Sequence, residues 1–320
     1  MSAAQSPSGN PFAGTGNGGS SGNGVGNGNG VPAIRLHEVT RDYRRPRTSI
    51  TTPGPVVHAL RGVSLQVQRG QRFGIVGESG CGKSTALRIV AGLDRPTSGS
   101  VQIEGVEISR LPERRLGFLR RQLQLVFQDP MGSLDPRMRV RDIVAEPLVA
   151  QGQRHTLPRV HELLEAVGLQ PEAADRYPHQ FSGGQRQRIS IARALAPDPR
   201  ILVADEPVSA LDVSVRAQVL NLLAEIVDRL SLTLLFVSHD LAVVRHVCDT
   251  VAVMSRGEIV EQGPIEQVYE QPAHPYTRQL VAAAPRLQAA LAGRTAADLA
   301  AETLAARRSA RSDPTPKDHP

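Results

Sequence analysis

Along the chain, short apolar runs alternate with segments whose apolar positions recur every three or four residues, and this alternation points to a class of fold. Ala33 to Tyr43 and Val63 to Val67 carry the β-branched, alternating pattern of strands, and the polar, Pro-containing stretch Arg44 to Val57 between them reads as a loop. Phe73 to Val76 is an apolar run of buried-strand length that ends in a glycine-rich turn. From Lys83 the period becomes helical, through Ala86, Leu87, Ile89, Val90 and Leu93. Ser100 to Ile103 and Leu123 to Phe127 are further expected strands. Asp142 to Gly168 is expected to be mostly helical, with Val160, Leu163, Leu164 and Val167 at helix spacing, and is a candidate for a separate lobe. Gln185 to Ala196 reads as a helix, Ile201 to Ala204 as a buried strand, Ser214 to Leu230 as an amphipathic helix and Leu234 to Val237 as an apolar strand. Strands alternating with helices imply an α/β fold whose mostly parallel sheet is covered on both faces.

The ends of the chain follow no such pattern. Met1 to Gly30 is rich in Gly, Asn and Ser and lacks the basic head and apolar core of a secretory signal, so residues 1–32 are expected to be a disordered tail. The sequence contains no run of roughly 18 apolar residues, the length a membrane-spanning helix requires. With 320 residues, one large α/β domain plus appendages is the default. Two cysteines, Cys81 and Cys248, are too few for a disulfide framework and lack the paired spacing of a zinc site, which suggests a reduced cytoplasmic location. The net charge of +6 reads as a solvated basic surface. Arg307, Arg308 and Arg311 fall in a polar C-terminal tail, aromatic residues make up only 3%, and no nucleic-acid-binding motif occurs, so no nucleic-acid partner is expected.

Candidate chemistry sits where runs end. Gly77, Glu78, Ser79, Gly80, Cys81, Gly82, Lys83 and Ser84 fit the pattern G-x-x-x-x-G-K-[ST] between a buried strand and a helix start. Glycines let the backbone wrap closely, so that its N–H groups and the helix N-terminus point at phosphates. Residues Gly77 to Thr85 are therefore expected to bind ATP, with Lys83 reaching the β- and γ-phosphates and Ser84 ligating Mg²⁺. A plain Gly-rich turn is the rival reading, but it would not call for this strand and helix on either side. Cys81 occupies a free position of the motif, and no redox role is expected for it. Ile201 to Glu206 is an apolar strand ending in two carboxylates. Because successive strand residues face opposite ways, Asp205 is expected to hold Mg²⁺ and Glu206 to polarise the attacking water. The rival reading is a solvated acidic turn. Only one phosphate-loop motif is present, so one nucleotide-binding domain rather than two fused ones is expected.

Phe181-Ser182-Gly183-Gly184-Gln185-Arg186-Gln187-Arg188 resembles the signature motif of the ABC ATPases, with Phe181 in place of the leading leucine. Other motifs of that family follow in order. Gln128, within Val126-Phe127-Gln128-Asp129-Pro130, resembles the Q-loop; Ser209-Ala210-Leu211-Asp212 resembles the D-loop; His239, after a strand, resembles the switch histidine. Tyr43 looks like the aromatic residue that stacks on adenine, although the loop after it is longer than usual for the family. The resemblance covers about residues 33 to 283. It implies a P-loop NTPase nucleotide-binding domain of ABC type, at residues 33–263: a mostly parallel sheet core, an antiparallel β subdomain and a helical subdomain at about 129–190. It further implies that two such domains sandwich ATP head to tail. Ser182, Gly183, Gly184 and Gln185 would act in trans on nucleotide held by the other, with Asp212 of the D-loop between them. Glu206, His239 and Gln128 would be the catalytic groups, and Ser84, Gln128 and Asp205 the Mg²⁺ ligands.

Finer features resemble one branch. Phe127 to Met138, Ala210 to Leu222, and His274-Pro275-Tyr276-Thr277 with Leu280 and Ala284 to Leu287 are similar to dipeptide, oligopeptide and nickel importers. Residues 264–287 would be that branch's C-terminal extension, and 288–320 a polar, disordered tail. Gln288 to Pro320 contains no cysteine, unlike many members of the branch, so no metal-cluster role carries over. The resemblance implies a peripheral ATPase on the cytoplasmic side of the plasma membrane. Its partners would be two transmembrane permease subunits, an extracytoplasmic substrate-binding protein and a second ATPase subunit, either a paralogue or another copy. Nickel or another small solute is an alternative cargo. A non-transport ABC ATPase of DNA repair or translation usually has a long coiled-coil insertion or two motor domains, and neither pattern occurs here.

Overall fold

The computed structural model of the chain describes residues 30–44, 55–153 and 157–283. Most of the expected N-terminal tail, most of the Arg44 to Val57 loop and everything after residue 283 lie outside the described residues. The chain opens with strands β1 (Ile34–Arg44) and β2 (Val56–Val67), and β3 (Arg72–Val76) then leads into helix α1 (Lys83–Val90). Strands β4 (Ser98–Ile103) and β5 (Val106–Glu107) follow, then α2 (Gly117–Gln122) and β6 (Leu123–Val126). Helices α3 (Pro130–Ser133), α4 (Val140–Ala150), α5 (Leu157–Ala166) and α6 (Gly183–Leu195) separate β6 from β7 (Ile201–Asp205). Alternation resumes with α7 (Val213–Arg229), β8 (Thr233–Ser238), α8 (Leu241–Val247), β9 (Thr250–Ser255), β10 (Glu258–Pro264), α9 (Ile265–Glu270) and α10 (Pro275–Ala283).

These strands build two sheets. One is four-stranded and antiparallel, ordered β2-β1-β4-β5. The other is six-stranded, ordered β10-β9-β3-β8-β7-β6, and every pairing in it is parallel except that of β10 with β9. All six residues of β8 are buried because both of its faces are covered. Leu234 and Phe236 join the hydrophobic cluster shared with α4 to α8, whereas Leu235 and Val237 join the cluster shared with α1 and the antiparallel sheet. The period of two thus feeds two cores, and this is why an unbroken apolar run, rather than an alternating one, marks each central strand.

Several boundaries differ from the sequence expectation. Val56 and Val57 belong to β2, paired with Arg44 and Tyr43, and are not loop. Helix α1 stops at Val90; Gly92 has φ 67 and Leu93 is left 59% exposed, so the apolar period outran the helix. Phe127 lies beyond β6 and is also exposed. Among the described residues, no helix is long and apolar enough to cross a membrane.

Candidate functional site

Parallel pairing brings the chemistry together. Val76 at the end of β3 pairs with Ser238, and Asp205 at the end of β7 pairs with Val237, so the turns after β3, β7 and β8 emerge at one edge of the sheet. Such an edge, at the carboxyl ends of parallel strands, is where open α/β sheets bind ligands. The turn after β3 is Gly77 to Gly82. A Cβ on Gly77 would lie 2.2 Å from the Met254 carbonyl oxygen, and Gly82 combines φ 111 with a would-be Cβ 2.5 Å from the Ala59 carbonyl oxygen. Both positions exclude any side chain. Lys83, 4% exposed, donates from Nζ to the carbonyl oxygens of Gly77 at 2.7 Å and Glu78 at 2.9 Å. Helix α1 starts at this lysine with no side-chain cap and no acidic residue in its first turn, which leaves its leading N–H groups available to an anion.

The two carboxylates part company for a reason the strand pattern did not foresee. Asp205 is the last residue of β7, and Ser84 Oγ donates to its Oδ1 at 3.4 Å. Burial pushes the Asp205 carboxyl up; the Ser84 hydrogen bond opposes this, and the neighbouring Glu206 charge reinforces it. Glu206 is not the next strand residue but turns out of the sheet at φ 45, a left-handed conformation uncommon for a non-glycine residue. Its N–H is fixed by the Val237 carbonyl at 2.9 Å. Outliers of this kind collect at functional sites. The Glu206 side chain then meets His239 Nδ1 through Oε2 at 2.9 Å and Lys83 Nζ through Oε1 at 3.7 Å. Ser84, Asp205 and the nearby Gln128 offer hydroxyl, carboxylate and amide oxygens, the hard donors Mg²⁺ prefers, and a cation there would offset the burial of Asp205. This donor set fits Mg²⁺ completed by water and phosphate oxygens.

A cleft of about 680 Å³ opens at this edge. It is lined by Glu78, Ser79, Gly80, Gly82, Lys83, Ser84, Thr85, Gln128, Glu206 and His239, together with Val57, His58 and Ala59 of β2. Gly77 and Cys81 are buried behind the loop, and burial pushes the Cys81 thiol up, away from thiolate chemistry. The β2 residues are not among the sequence-expected site residues, since the polar stretch ending at Val57 reads as a loop; the adjacent Val56-Val57 pair is the local signal for the strand.

Other expected site residues lie outside the cleft. Tyr43 is not among its lining: its hydroxyl donates to Asp94 Oδ2 at 2.6 Å, and the Arg41 guanidinium sits 4.6 Å from the centre of its ring. Ser182 caps α6, accepting from Gln185 N–H, while the Gln185 side chain accepts from Ser182 N–H, a reciprocal capping box. Gly184 packs α6 against α7 so closely that a Cβ would lie 2.3 Å from Val215. Ser182 and Gln185 are exposed, so the α6 N-terminus faces outward rather than into this chain's own cleft. Asp212, also exposed, is the residue before α7 and makes no side-chain cap.

Comparison with known proteins gives the family. A family described as ABC transporter matches residues 60–209, and one described as oligopeptide/dipeptide transporter, C-terminal region, matches residues 260–308. The oligopeptide transport ATP-binding protein OppF of Bacillus subtilis (strain 168) is 49% identical over 239 residues, covering 73% of this chain and 78% of that protein. Oligopeptide transport ATP-binding protein OppD of Mycobacterium tuberculosis is 48% identical over 256 residues; the match takes in 79% of this chain but only 42% of that relative's length. Among solved structures, a dimeric ATP-binding cassette in a post-hydrolysis state bound to ADP and Pi matches with TM-score 0.64 and 31% identity, over 72% of this chain and 98% of that one.

Proposed function

The chain belongs to the ATP-binding proteins of ABC transporters, and from that premise we propose that it hydrolyses ATP to energise import of di- or oligopeptides. The observation that carries the reading is the convergence of Lys83, Ser84, which is bonded to Asp205 behind it, and the Glu206–His239 pair on one cleft at the carboxyl edge of the parallel sheet. ATP would lie with its phosphates on the loop Gly77 to Thr85, Lys83 facing the β- and γ-phosphates. Tyr43, as the adenine platform, would first have to release its contacts with Asp94 and Arg41. Ser84, Asp205 and Gln128 would hold Mg²⁺, which when bound neutralises charge developing on the phosphate oxygens. Glu206 would orient the attacking water and accept its proton. His239, bonded to Glu206, would keep that carboxylate aimed and contact the γ-phosphate.

The outward-facing N-terminus of α6 supports a shared site. Ser182, Gly183, Gly184 and Gln185 would close over nucleotide held by a second ATPase subunit, a paralogue or another copy, with Asp212 at the joint. A hydrolytic domain at residues 33–263, with its helical part at 129–190, would carry this chemistry, and residues 264–287 would form the extension typical of peptide transporters. The remaining partners in this reading are two transmembrane permease subunits and an extracytoplasmic substrate-binding protein, with the chain on the cytoplasmic side of the plasma membrane. Names of the relatives and the match over residues 260–308 support the peptide class.

The test is phosphate release from ATP by the purified full chain. Release is expected with Mg²⁺, to fall to background on chelation with EDTA, and to return when Mg²⁺ is restored. Release that persists undiminished in EDTA would contradict the assignment of Ser84 and Asp205.

A further inference from the structure

The first peptide of the phosphate loop is held from both sides. Its carbonyl, Gly77 C=O, accepts from Lys83 Nζ at 2.7 Å; its amide, Glu78 N–H, donates to the Tyr276 hydroxyl at 2.7 Å. In a trans peptide these two groups point in opposite directions, and no cis bond occurs among the described residues, so the peptide plane is pinned between the lysine and the tyrosine. Tyr276 lies 198 positions along the chain from Glu78, on α10, within the segment matched to the oligopeptide/dipeptide transporter C-terminal region. It is firmly mounted. The two Glu261 carboxylate oxygens accept from the N–H groups of Ala273 and His274, each at 2.9 Å, and His274 Nδ1 accepts from Tyr276 N–H at 3.2 Å. The Tyr276 ring packs against the larger core cluster.

We propose that Tyr276 is a positioning residue for nucleotide binding: through the Gly77–Glu78 peptide it fixes the carbonyl that holds the Lys83 ammonium, and so makes the C-terminal extension part of the phosphate site. Without the hydroxyl, that peptide is held by the lysine alone, and nucleotide must complete the ordering of the loop and the lysine as it binds. The inference rests on the ATPase reading, because Lys83 is taken to meet phosphate. Since Lys83 and the loop serve the β-phosphate as well as the γ-phosphate, ATP and ADP are affected alike.

The experiment measures ATP and ADP affinity by calorimetry on the purified full chain with Mg²⁺, comparing the native protein with Tyr276→Phe. A net hydrogen bond implies about three- to tenfold weaker binding of both nucleotides. The ATP concentration giving half-maximal turnover rises by the same factor, and the saturating rate stays within about twofold. Glu261→Gln, which loosens the mount without touching the loop, gives a smaller loss in the same direction. The double variant loses less than the product of the two, because both act along one line of contacts. Unchanged affinity in Tyr276→Phe, or in Glu261→Gln should the tyrosine variant fail to fold, overturns the proposal, as does a fall in saturating rate without a change in affinity. A native chain that binds neither nucleotide overturns the ATPase reading together with it, and the native arm alone reports that failure.

Discussion

Replacing Glu206 with glutamine is expected to lower ATP turnover by about a hundred- to ten-thousandfold while ATP continues to bind, the range that loss of a positioned general base produces. Glutamine keeps the size of the side chain and an oxygen to accept from His239, so the 2.9 Å contact is preserved in kind. It cannot take the proton of an attacking water. The backbone at φ 45 is unaffected in type, since both residues carry the same Cβ substituents. Loss of the negative charge 3.7 Å from Lys83 leaves the ammonium with its two loop carbonyls and does not weaken its attraction for phosphate. Single-turnover phosphate release beside calorimetric ATP affinity separates the two steps. Turnover within a few-fold of native would remove Glu206 from the chemistry.

The second large effect belongs to Lys83→Ala, which is expected to weaken ATP by about 10- to 150-fold, the range given by losing one hydrogen bond to a charged group. The lysine is one of the few buried polar side chains, and its ammonium is held by Gly77 and Glu78 at the mouth of the cleft. Removing it takes the lysine donor from the Gly77 carbonyl, leaves the Glu78 carbonyl with the Cys81 N–H at 3.3 Å, and takes away a positive charge from the loop. Adenosine, which has no phosphates, should lose little affinity in the same variant. Undiminished ATP binding in a folded Lys83→Ala chain would show that the phosphates lie elsewhere.

How much of this was legible in the sequence depends on whether a residue acts locally. The glycine-rich turn at Gly77 to Gly82 is legible because its pattern is local, written in its own glycines and in the strand and helix that flank it. Asp205 and Glu206 are legible as adjacent carboxylates at the end of an apolar strand, but strand alternation does not set their directions: Glu206 takes its direction from a left-handed turn pinned to Val237, a contact between neighbouring strands that no local pattern encodes. The strands 201–204 and 234–237 are legible because residues buried on two faces are apolar throughout, whereas β9 and β10 lie outside the sequence expectation although Thr250 to Met254 is nearly as apolar. Helix α1 is shorter than its apolar period implies, because Leu93 keeps the period beyond Gly92, where the helix has already ended. Tyr43 and Tyr276 mark the limit. The first has its hydroxyl on Asp94, 51 positions away, and the second reaches the phosphate loop only through the assembled fold.

The central claim, that this chain powers peptide import, is tested most directly by uptake of a labelled dipeptide, with nickel uptake alongside, in cells whose only copy of the chain is native or Glu206→Gln. The account predicts that dipeptide uptake collapses in the variant while nickel uptake is unchanged. Dipeptide uptake that continues at the native rate, or a collapse confined to nickel, would contradict it.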